Sequence, residues 1–70
     1  SGGNGGGIGA PLSYAGEGTR DIYVDFPACA GPYDQLTMVR NGRFNFETTL
    51  GTEARALKAC LSERGYTFKD

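Results

Sequence analysis

Apolar and polar positions alternate most clearly in Arg20-Asp21-Ile22-Tyr23-Val24-Asp25-Phe26, where Ile22, Val24 and Phe26 fall on one face. A period of two predicts a half-buried strand, which Pro27 ends, and Gly31-Pro32 marks a turn after it. Leu36 to Arg40 and Arg43 to Glu47 flank Asn41-Gly42. Asn-Gly between such runs predicts a hairpin, because a type I′ turn needs positive φ at both central residues. A two-residue loop pairs Arg40 with Arg43 and Val39 with Phe44, and puts Phe44 and Phe46 on the face of Val39. A short helix from Pro32, closed by Gly42 just past its end, competes for the same residues, so 32–39 stays open between strand and helix.

From Thr52 to Arg64 the period changes. Ala54, Leu57 and Leu61 recur at helical spacing, in line with Leu50, and Cys60 sits at the edge of that stripe. Thr52 is the expected N-cap, Glu53 suits the positive helix end, and Gly65 fits the position after the last turn. Tyr66-Thr67-Phe68 reads as a short edge strand. The expected core is Ile22, Val24, Phe26, Val39, Phe44, Phe46, Leu57 and Leu61.

Residues 1–18 lack this patterning. They hold eight of the twelve glycines, and Glu17 is their only charged residue. Glycine loses the most backbone entropy on ordering, and Ile8, Leu12 and Tyr14 offer little surface to bury in return. The expected organisation is therefore a glycine-rich extended arm over 1–18 and a compact α+β domain over 19–70. The fold class is α+β: a small antiparallel sheet with one C-terminal helix, stapled by a disulfide.

The staple follows from size and cysteine count. A 70-residue chain is marginal on its core alone, and its two cysteines, Cys29 and Cys60, make an even number. A bridge between them points to an oxidising compartment. Closing that loop contributes roughly 3–4 kcal/mol in the chain-entropy model.

Charge and chemistry narrow the function classes. The net charge of −1 gives no electrostatic reason to bind nucleic acid or anionic lipid. With no histidine, a serine–histidine relay and most zinc sites have no candidates. Gly5-x-Gly7-x-x-Ala10 matches a degenerate dinucleotide fingerprint, but no strand precedes it and Pro11 follows it. Asp21 and Asp25 read as a solvated pair on the outer strand face. Arg40 and Arg43 read as solvated charges at the hairpin. No catalytic, cofactor-binding or metal-binding residue is assigned, and the chain is expected not to be an enzyme. Exposed tyrosines make good interface anchors. Ile8, Leu12, Tyr14 and Tyr23 are therefore the expected partner-binding residues.

Cys60-Leu61-Ser62-Glu63-Arg64-Gly65-Tyr66 resembles the C-terminal pattern Cys-hydrophobic-x-x-basic-Gly-aromatic of small envelope lipoproteins of Gram-negative bacteria. The resemblance covers about a tenth of the chain. It implies Cys29 as the disulfide partner, a place in the periplasm or on the outer membrane, and a lipid-modified cysteine just before Ser1. The expected function is a structural or accessory subunit of a larger cell-envelope or extracellular assembly, its partners other protein subunits met by the domain and the arm. The alternative is a free-standing secreted binding module, an inhibitor or toxin-like ligand that uses the hairpin tip and tyrosines.

Overall fold

The computed structural model describes residues 11–69. Its elements in chain order are β1 (Leu12–Glu17), α1 (Ile22–Cys29), β2 (Asp34–Arg40), β3 (Arg43–Thr48), α2 (Gly51–Glu63) and β4 (Thr67–Phe68). The four strands form one antiparallel sheet in the order β2-β3-β1-β4. Both helices pack on one face of it. The α+β class is as the sequence indicates, with two helices rather than one.

The hairpin has the expected turn and register. Asn41 and Gly42 have φ of 51° and 79°, and Arg40 pairs with Arg43 and Val39 with Phe44. Residues 34–39 are strand, so the helical alternative fails. A register shift between Leu36 and Met38 breaks the regularity of β2, which lies at the sheet edge. Such bulges discourage edge-to-edge pairing.

The strand expected over Arg20–Phe26 is instead the helix α1. Asp21 caps it, its side chain accepting from the Tyr23 amide at 3.0 Å. Ile22 and Phe26, four residues apart, then face the core together. Val24 turns outward and is 63% exposed, so it leaves the expected core. Pro27 sits inside the helix and removes the amide that would reach back to Tyr23.

Leu12–Glu17, assigned to the arm, is a strand between β3 and β4. Glycine serves close packing here rather than freedom. A Cβ on Gly16 would lie 2.6 Å from the Phe44 ring and 2.7 Å from that of Phe68. Tyr14 stacks on Phe46 with centroids 5.2 Å apart. The remainder of the expected arm, residues 1–10, lies outside the described residues.

The helix α2 starts earlier than its sequence suggests. Leu50 is the N-cap, without a side-chain cap, and the buried Thr48 rather than Thr52 turns the chain into it by accepting from the Leu50 amide at 3.3 Å. At the other end the Gly65 and Tyr66 amides bond back to Ser62 and Leu61, with Gly65 at φ 104°. This is a Schellman motif, and it buries Tyr66. The core comprises Ile22, Phe26, Phe44, Phe46, Ala54, Leu57, Leu61 and Tyr66, with Val39 partly buried against it. Cys29 and Cys60 are bonded, Cα atoms 5.8 Å apart. The bridge joins the end of α1 to α2, helix to helix, because the segment before Cys29 is a helix and not the expected strand.

Candidate docking surface

The placement of α1 depends on one inward charge. Asp25 lies three residues after Ile22 and one before Phe26, on the buried side, and is 3% exposed. Its carboxylate accepts from the Tyr66 hydroxyl at 2.7 Å, Arg64 Nη1 at 2.9 Å and Arg20 Nε at 3.4 Å. Arg64 ends α2 and Tyr66 leads into β4, so Asp25 fastens α1 to the α2–β4 junction. The Tyr66 hydrogen bond does most to hold the Asp25 carboxyl below its usual range; burial opposes it, and the two arginines assist. Burial, then the hydrogen bond to Asp25, pushes the Tyr66 phenol up to about 12. The solvated Asp21–Asp25 pair is thus corrected: one residue caps the helix and the other is buried.

With its only charge inside, α1 presents apolar groups outside. Tyr23 is 66% exposed, Val24 is as open, and Pro27 and Ala28 are also exposed. Pro32 and Tyr33 continue this surface past the helix end. From Ile22 to Tyr33 no charged side chain faces outward. Beside Tyr23 opens a slot of about 140 Å³, walled by Ile22, Val39, Phe44 and Tyr66. Arg20, Asp21, Gly18 and Gly42 complete its lining. Gly18 keeps it clear, because a Cβ there would lie 2.5 Å from the Tyr66 ring. The Gly18 amide also bonds to the Gly42 carbonyl at 2.8 Å, tying the β1–α1 loop to the hairpin tip.

At the other end of α1 two carboxyls meet. Asp34 Oδ2 accepts from the Gly31 amide at 2.8 Å, while Oδ1 is buried and meets no fixed donor. Glu53 is the neighbour, its Oε1 2.7 Å from where a Gly31 Cβ would stand. Burial, then the Asp34 charge and a hydrogen bond shared with it, raises the Glu53 carboxyl above its usual range.

The residues expected to bind partners take separate places. Ile8 lies outside the described residues. Leu12 is 55% exposed at the start of β1. Tyr14 is half-buried on the same strand, with the Lys58 ammonium 4.7 Å from its ring centroid. Tyr23 stands on α1, among apolar neighbours that an alternating strand would have placed inside. The missed signal was the spacing Ile22-Asp25-Phe26 behind a capping Asp21. At the hairpin tip the like charges Arg40 and Arg43 pair directly, and Arg43 Nε is 3.9 Å from Glu17. Among the described residues no group of three or more His, Cys, Asp or Glu converges as a metal-ligand set, and no helix is long and apolar enough to cross a membrane. Comparison of the chain with protein-family models, curated proteins and solved structures found no match.

Proposed function

We propose that this chain is a non-enzymatic docking subunit of a larger extracytoplasmic assembly, seated on its partner through the outward face of α1. One observation carries the reading: the only charge in α1 is buried, while Tyr23, Val24, Pro27 and Ala28 face water. Exposed apolar surface of this kind marks interaction sites. The disulfide fits an oxidising compartment. A finer placement, in the periplasm or at the outer membrane of a Gram-negative cell, rests on the resemblance of Cys60 to Tyr66 to envelope lipoproteins.

A photo-crosslinking amino acid at position 23 tests this in the native envelope, with the same group at exposed Ser62 as the control. Position 23 is expected to capture a discrete protein, identified by mass, and position 62 to capture none. Equal or absent capture at both positions overturns the reading.

The secreted-module alternative draws on the hairpin tip. Like charges directly opposite each other destabilise a sheet, and Arg40 and Arg43 are held so. An acidic partner would relieve that repulsion. Capture from position 41 rather than 23, by a protein outside the producing cell, favours this second reading.

A further inference from the structure

We infer that the open sheet face at the hairpin tip receives an acidic protein segment, one carboxylate bridging Arg40 and Arg43 and a nearby apolar side chain resting on Met38. The inference rests on the hairpin-tip reading above, for which it names the ligand, and it is independent of what covers α1.

The strand register gathers these three side chains. Phe44 and Phe46 are buried toward the helices, so Arg43 and Asn45 point to the opposite face of β3. Arg40 lies directly opposite Arg43, and Met38 opposite Asn45, so Arg40 and Met38 share that open face. Cβ atoms of directly opposed residues stand about 4.5–5.5 Å apart, which lets two guanidinium groups close on one carboxylate. Met38, Arg40, Asn41 and Arg43 line an open recess of about 480 Å³ there. Met38 is 42% exposed and supplies its apolar wall.

The partners within the fold leave this pair cationic. Glu17 is the β1 neighbour of Arg43, but its Oε1 is 3.9 Å from Arg43 Nε and both side chains are mostly exposed. An ion pair so placed contributes little, and one carboxylate does not neutralise two guanidinium groups. Among the described residues the Arg40 side chain meets no acceptor. Edge protection accounts for a charge at Arg40 on β2, but not for a like charge directly opposite it on the inner strand β3. Like charges so paired destabilise the hairpin, and an anion held between them removes the repulsion.

The receptor is preformed. Asn41 and Gly42, at φ 51° and 79°, set the two-residue turn, and the Gly18 amide holds the Gly42 carbonyl at 2.8 Å. Little backbone freedom is left to lose when a ligand arrives. Met38 decides between a bare anion and a peptide. It stands two residues from Arg40 on one strand, so an extended ligand matches the pair with an acidic residue and an apolar one two positions away.

NMR titration of the oxidised full chain tests this, with a short blocked peptide in which glutamate and leucine stand two apart among serines. Saturable shifts are expected around Met38, Arg40 and Arg43, with a dissociation constant of about 1 mM or tighter. Arg40→Gln and Arg43→Gln are each expected to weaken binding at least about fivefold, the loss of one charge-assisted contact. Arg40→Gln should melt at or above the wild type, a gain in stability with a loss of binding that a merely structural arginine does not give. Glu17→Gln, which removes the competitor for Arg43, is expected to tighten binding. Absence of saturable shifts, or binding indifferent to Arg40→Gln, overturns the inference. Equal binding of the peptide with serine in place of leucine, or of inorganic phosphate, overturns it in favour of a bare anion. If the peptide fails while position 41 still captures a protein, the acidic ligand is overturned and the tip reading stands; failure of both ends both.

Discussion

Across 41 residues of sequence, the Tyr66 hydroxyl donates to the Asp25 carboxylate at 2.7 Å. That bond fixes the rotation of α1, and with it which side chains meet water. Tyr66→Phe leaves a buried carboxylate one donor short, a loss of about 1–3 kcal/mol by analogy with other unsatisfied buried groups. Thermal melting measures it.

The same group sets the acid limit of the fold. The Asp25 carboxyl titrates below its reference value of 3.8, so its contribution is complete above that value and disappears as pH falls through the lower folded value. Asp25→Asn is expected to melt lower at neutral pH, by more than Glu63→Gln at an exposed site. It should also lose part of the acid-side slope. Matched melts at neutral pH and below pH 3.8 check this, and parallel curves for variant and wild type would contradict it.

Glu53 works in the opposite direction. Its folded value lies above the reference of 4.5, so the stability it contributes is present below that reference and is lost as pH rises through the folded value. Above that folded value Glu53 is a second carboxylate beside Asp34. Glu53→Gln places an amide donor against Asp34 Oδ1, which offsets the loss of a negative charge in the first turn of α2. The variant is expected to melt at or above the wild type at neutral pH and to lose the advantage below pH 4.5.

The Cys29–Cys60 bridge closes a separation of 31 residues, worth about 3–4 kcal/mol in the chain-entropy model. Reduction is expected to lower the melting temperature by on the order of 20 °C. Thiol labelling of unreduced, denatured protein should find no free cysteine.

Gly16 separates the two views of the N-terminal segment. If it belonged to a loose arm, Gly16→Ala would be silent. Between the Phe44 and Phe68 rings the added methyl is expected to destabilise by about 1–3 kcal/mol. For the same reason, deleting residues 1–14 is expected to abolish a cooperative melt, since it removes half of β1.

What could be read from the chain was its local chemistry. Asn41-Gly42 demands positive φ whatever surrounds it, and the Leu57–Leu61 stripe ending at Gly65 leaves little choice but a helix. The even cysteine pair in a small chain found its bridge. What could not be read was long-range. Ile22, Val24 and Phe26 satisfy a period of two, and it takes the distant donors Arg64 and Tyr66, with Arg20, to make an inward Asp25 tolerable, so the helical phase prevails. The Ser13-Tyr14-Ala15-Gly16 run has little side chain to signal a strand. Its place is set by the size of the Phe44 and Phe68 rings, which leave room for glycine and nothing larger. The outward face of α1 was hidden by the same error of period. Tyr23 was correctly expected at the surface, but Val24 was placed in the core.

The antiparallel pairing of β1 with β4 gives the molecule a mounting direction. Gly16 pairs with Phe68 and Glu17 with Thr67, so β4 runs toward the end of the sheet at which Leu12 opens β1. The hairpin tip, bound to Gly18, marks the opposite end, and the slot opens there. The chain therefore enters β1 and leaves β4 along a path directed away from the slot and tip.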